Sequence, residues 1–134
     1  MRKITKILIM TLLIISVLFL RHIYTYRTMG IIEAIRPNAD EIKRVEILFN
    51  NETKIINKKD DINKLLEFFD KYKIKKDKNN KVIRLNDDIY MLNILSNNNA
   101  SYIIPQKNQI TIDGYNYNIV DNNLDINYFD KYWK

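Results

Sequence analysis

The sequence predicts an α+β protein: an N-terminal transmembrane helix, then a small antiparallel sheet in the order β-β-α-β-β-β-β-α with its helices on one face. Three observations carry this. Residues 7–20, ILIMTLLIISVLFL, form an uncharged apolar run fenced by Lys6 and Arg21. Residues 60–72 repeat their apolar side chains at helical spacing. Asp113-Gly114 stands between two segments of alternating polarity, where it suits a type I′ hairpin. Residues 1–27 read as a signal-anchor or transmembrane segment, 28–40 as a juxtamembrane connector and 41–134 as the α+β domain.

The apolar run sets the address. Its core residues are Ile7, Leu8, Leu12, Leu13, Ile14, Leu18, Phe19 and Leu20. At about 1.5 Å per residue the run reaches only ~21 Å, short of the ~30 Å hydrocarbon core. That length suits a cleavable signal peptide. The flank does not: Arg-His-Ile-Tyr-Thr-Tyr-Arg follows, bulky and charged where signal peptidase wants small residues. Lys6 and Arg21 can snorkel, and Tyr24 and Tyr26 sit where an interfacial aromatic belt would, which lengthens the span. An uncleaved anchor is the favoured reading and a cleaved signal its rival. Arg2, Lys3, Lys6 and the amino group only narrowly outweigh Arg21 and Arg27, with Arg36 a further basic residue on that side, and the N-terminus is expected inside and the domain outside.

Charge supports the same division. The net charge is +6, which would suit a nucleic-acid partner. Five of the 22 basic residues flank the apolar run, leaving 17 basic against all 16 acidic residues. The domain is near neutral, and no nucleic-acid partner is expected. A chain 46% hydrophobic with two Gly and two Pro is too apolar for wholesale disorder. The absence of cysteine removes disulfides, thiol catalysis, Cys-based zinc sites and a lipobox thiol.

Within 28–40, Met29-Gly30 breaks the pattern and a short helical turn fits 31–35. Val45, Ile47 and Phe49 alternate on one face of a strand, with a turn at Asn50-Asn51-Glu52 and a second strand over 53–56. In the helix, Asp60 is placed to cap, and Ile62, Leu65, Leu66, Phe69 and Tyr72 make one stripe with Phe68 at its rim. Residues 73–81, KIKKDKNNK, read as a solvated basic link; contact with anionic lipid or wall polymer is the less favoured reading. Residues 89–95 form a strand apolar on both sides, hence central. Residues 101–104, stopped by Pro105, and the hairpin 109–112 and 115–120 complete the sheet, one face buried and the other wet. A short helix over 124–133 closes the chain, anchored by Leu124, Tyr128, Phe129, Tyr132 and Trp133.

Catalytic constellations are hard to find. His22 is the sole histidine and lies in the membrane flank, so no triad or multi-His site can form. Ser16, Ser96 and Ser101 lack a nucleophile-elbow context, and two glycines cannot build a phosphate loop. Asp60-Asp61 belongs to a helix start, and Asp87-Asp88 precedes a strand. The sequence Asp121-Asn-Asn-Leu-Asp125 opens like a calcium loop, but Ile126 replaces its glycine and Tyr132 its bidentate glutamate. No cofactor or metal is expected. The aromatic last third offers Tyr102, Tyr115 and Tyr117 as a possible binding face.

The strand VEILF, the helix DDINKLLEFF, the segment SYIIP and the hairpin ITIDGYNYNI before a terminal aromatic helix together resemble small uncharacterised membrane- or lipid-anchored envelope proteins of low-GC Gram-positive bacteria. The resemblance implies an anchor before one α+β domain and carries over no functional residue. The expected function is thus a membrane-tethered, non-catalytic binding or structural domain with a protein or envelope partner. An immunity or inhibitor protein against a toxin or hydrolase is the alternative, as is a protein secreted after cleavage. An enzyme using Asp87, Asp88 or the carboxylates from Asp121 to Asp130 ranks last.

Overall fold

A computed structural model describes residues 2–80 and 88–134. The first element is a helix, α1 (Arg2–Thr25), which continues through both charged flanks of the apolar run. Its 24 residues give roughly 36 Å of length, so no stretching is needed to cross ~30 Å of hydrocarbon.

After Tyr26 and Arg27 the chain enters an eight-stranded antiparallel sheet. Its strands are β1 (Thr28–Gly30), β2 (Arg44–Phe49), β3 (Glu52–Ile56), β4 (Lys73–Lys76), β5 (Met91–Leu95), β6 (Ala100–Pro105), β7 (Gln109–Ile112) and β8 (Tyr115–Val120). The order across the sheet is β1-β4-β8-β7-β6-β5-β2-β3, so β1 and β3 are the edges. The helices are α2 (Ile31–Ala34) and α3 (Lys59–Asp70), with 3-10 segments at Ala39–Glu41 and Ile126–Tyr132.

Two of these strands fall where none was expected. β1 lies in the stretch read as a connector, and β4 in the stretch read as a solvated link. They pair with each other, Met29 opposite Ile74, and β4 also pairs with β8, Ile74 opposite Ile119. Ile74 is fully buried and is the single apolar residue of KIKK. Ile31 and Ile35 are also core residues, so the expected connector contributes to the fold.

Register explains the core. Val45, Ile47, Leu92, Ile94, Ile103, Ile110, Ile112 and Ile74 project to one face, here called the inner face, and all are essentially inaccessible. α3 covers that face with Ile62, Leu65, Leu66, Phe68 and Phe69; Phe68 is more deeply buried than a rim position. α3 begins one residue before Asp60, with Lys58 at the N-cap and no capping side chain, so Asp60 and Asp61 instead face the helix dipole. The C-terminal segment is 3-10 rather than α-helical. Phe129 is buried within it, and Tyr128 stacks on Phe68 at 3.8 Å between centroids.

β5 is central, as its apolar character requires. The outer face is not uniformly wet, contrary to the alternation of β7 and β8. Ile104, Thr111 and Asn116 are buried on it, and the Thr111 hydroxyl donates to the Asn116 carbonyl oxygen at 2.7 Å. That bond offsets the cost of taking both polar groups out of water.

The two-residue turns of the β2–β3 and β7–β8 hairpins use positive φ at two successive residues. Asn50 and Asn51 have φ 48° and 63°, and Asp113 and Gly114 have φ 51° and 84°. Phe49 pairs with Glu52 and Ile112 with Tyr115, the two-residue geometry of type I′ turns. No heavy atom lies within 4 Å of a Cβ placed on Gly114, so a side chain there meets only backbone strain. Gly114→Ala is expected to cost about 1–2 kcal/mol, and Gly114→Asn clearly less. Thermal unfolding of the full chain in detergent, followed by circular dichroism, checks the order wild type, Asn, Ala.

Candidate functional site

Two features stand out: the surface of α1 and the end of the sheet into which α1 runs. None of the 24 residues of α1 is buried. Ile7, Leu8, Leu12, Leu13, Ile14, Leu18, Phe19 and Leu20 are each between 56% and 66% exposed. Among the described residues, fifteen of the seventeen exposed large hydrophobic ones lie on this helix; Ile55 and Tyr115 are the other two. Shielding fifteen such side chains from water is worth on the order of 20 kcal/mol. A surface of that kind needs an apolar medium or partner. Its two polar interruptions are internally satisfied, since the Thr11 and Ser16 hydroxyls each donate at 2.9 Å to the carbonyl four residues back.

By length and composition α1 is a candidate membrane span, measures that signal sequences and core helices also meet. Lys6 and Arg21 sit near its two ends and are exposed. At the C-terminal end the aromatic and basic side chains interleave. Arg27 lies 4.7 Å from the centre of the Tyr24 ring, and the Tyr26 ring is 4.8 Å from His22. Arg27 also pairs with Glu33 at 2.9 Å. This partner and the Gly30 amide hold the Glu33 carboxyl below the usual carboxylate range.

The three tyrosines proposed as a binding face do not share one. Leu92 opposite Ile103 and Ile103 opposite Ile112 put Tyr115 and Tyr117 on the inner face and Tyr102 on the outer. Tyr102 contacts Met91, its hydroxyl 2.7 Å from the thioether sulfur. Tyr117 is buried in the core. Tyr115 is 49% exposed and carries the Lys76 ammonium 3.9 Å above its ring. Burial raises the phenol pKa of both Tyr102 and Tyr117.

The carboxylates resolve into structural roles or single exposed groups. Ser101 Oγ donates to Asp113 at 2.8 Å and accepts the Arg36 amide at 2.7 Å, while Asp113 also accepts the Tyr102 amide. Arg36 Nε stands 3.5 Å from Asp113. This cluster pins the segment after α2 to the β7–β8 turn, and no histidine accompanies the serine. Asp88 is exposed, and Asp87 lies outside the described residues. Asp121 begins a tight turn at φ 71°, and the Asp125 amide donates to the Tyr72 hydroxyl. Among the described residues no three His, Asp or Glu side chains converge as metal ligands.

No family model, curated protein or solved structure matches the chain.

The C-terminal aromatics form one packed assembly. Phe49 stacks on Tyr90 at 4.3 Å, and Trp133 and Phe129 close on Tyr90 at 5.6 and 5.3 Å. The Tyr90 hydroxyl donates to Asp130, and burial, reinforced by that carboxylate, pushes its pKa up to about 12. A raised native pKa means that the folded state holds the proton more tightly than the unfolded chain does. The stabilisation is complete below the ordinary tyrosine pKa near 10 and is lost as pH climbs to 12. Chemical denaturation from pH 9 to 12 is expected to show falling stability in the wild type, and a flatter profile for Tyr90→Phe.

Proposed function

We propose that this chain is a single-pass membrane protein, held by α1 with its α+β domain outside, and that the domain acts by binding a protein or envelope partner rather than by catalysis. The carrying observation is the continuous helix of 24 residues, none of them buried, with its uncharged apolar run at residues 7–20. The slight basic excess at Arg2, Lys3 and Lys6 favours the proposed orientation. The resemblance to anchored envelope proteins points the same way. For a non-catalytic domain, the support is chemical: the sole histidine is on α1, and Ser101 spends its hydrogen bonds on holding Arg36 and Asp113.

Fractionation of cells expressing the full chain tests the reading. The protein is expected to stay with membranes after carbonate extraction, at the intact mass, with its domain digested when intact cells are treated with protease. A charge at mid-helix, Leu13→Arg, adds about 2.5–3.5 kcal/mol to the cost of insertion and should shift protein out of the membrane fraction. A shortened, released product would favour secretion instead. A protease-protected domain would reverse the orientation.

A further inference from the structure

Strand β4 runs toward α1. Thr28 pairs with Lys75 and Gly30 with Lys73, so the chain beyond Lys75 heads for the helix end. Only Tyr26 and Arg27 separate α1 from β1. Two extended residues cover at most about 7 Å, which keeps this corner of the sheet within one Debye length of the end of α1. Lys78 reaches back to within 5.5 Å of the centre of the Tyr26 ring. Lys76 covers Tyr115, an exposed large side chain of the domain.

The corner therefore gathers Tyr24, Tyr26 and Tyr115 with Lys75, Lys76 and Lys78. Asp77 is the carboxylate within the lysine run, and its Oδ1 accepts the Asn79 amide. Arg27 is matched by Glu33, and the three lysines outnumber Asp77, which leaves the corner a basic surplus. Interleaved tyrosines and lysines are the composition of a membrane–water interface, where rings sit at headgroup depth and ammonium groups meet lipid phosphate.

Resting on the reading of α1 as a membrane span, we infer that this corner docks on the anionic phospholipid headgroups of the membrane that α1 enters. The domain then lies against the bilayer in one orientation, with β4 as the contact strand. The sheet end carrying Asn122, at the far end of β8, faces away. Each lysine contributes through its charge at the surface, so the contact weakens with salt and disappears on a zwitterionic membrane.

The chain has no cysteine, so a single introduced thiol reports one position. Thr28→Cys marks the corner and Asn122→Cys the far end; both positions are exposed. The full chain is placed in nanodiscs of phosphatidylcholine alone, or of phosphatidylcholine with phosphatidylglycerol, and maleimide labelling is timed. Thr28→Cys is expected to label several-fold more slowly on the anionic discs, with the difference erased by high salt or by K75Q/K76Q/K78Q. Asn122→Cys is expected to label alike on both. Equal rates for Thr28→Cys on the two compositions would overturn the docking while leaving the anchor intact. If the chain enters neither disc, the anchor reading fails and the docking with it. The comparison on otherwise unsubstituted chain stands even if the triple variant misfolds.

Discussion

The inner face of the sheet has to be covered, and the chain has only short segments with which to cover it. From β3 at one edge to β4 near the other there are six interstrand steps, about 29 Å. α3 supplies roughly 18 Å of that. The crossing deposits β4 far from the hairpin that precedes α3. Residues 31–42 make the opposite crossing, from β1 to β2, burying Ile31, Ile35 and Ile42 on the way. The C-terminal 3-10 helix fills what remains with Phe129. Both crossings meet at the β1–β4 pair, and that pair is what joins the sheet to α1.

The elements legible in the sequence are those whose determinants are local. The stripe of α3 is a matter of spacing within three turns, and Asp113-Gly114 names its own turn type. Asn50-Asn51 is a weaker form of the same signal, since asparagine, like aspartate, tolerates positive φ better than most non-glycine residues. β1 and β4 were illegible for the opposite reason. Thr-Met-Gly is too short to show a period, and KIKK offers one apolar residue among lysines. β4 takes its strand character from β8, a partner remote in sequence that supplies the ladder on which Ile74 is buried, and β1 takes its own from β4. A β conformation imposed by pairing leaves little trace in composition.

The tyrosines show a related limit. Within one strand, alternation fixes which side chains share a face. Between strands, the face depends on register, and register is set by the turns. The two-residue turn at Asp113-Gly114 places Ile112 opposite Tyr115, and Ile112 opposite Ile103 then forces Tyr102 to the far side. No count of aromatic residues along the last third of the chain separates these outcomes. The aromatic assembly around Tyr90 was partly visible, because Tyr128, Phe129 and Trp133 are spaced as anchors. Its partners Phe49 and Tyr90 come from β2 and the approach to β5, and only the fold brings them there.

Charge is redistributed by the same topology. Counted along the chain, the basic surplus belongs to the ends of the apolar run, and the domain is nearly neutral. Counted in space, β4 and the residues just after it return Lys75, Lys76 and Lys78 to the base of α1, with Asp77 as the acidic residue among them. The positive-inside bias acts on residues close to the span in sequence as it inserts, so these lysines do not enter the orientation balance. They act afterwards, once β4 has paired with β1 and Lys78 has reached Tyr26. The folded domain thereby gains a polarity of its own, a basic and aromatic corner beside α1 and a near-neutral remainder. If α1 spans a membrane as proposed, orientation of the helix and orientation of the domain upon it rest on separate groups of charges, the first close to the helix in sequence and the second assembled only by the finished sheet.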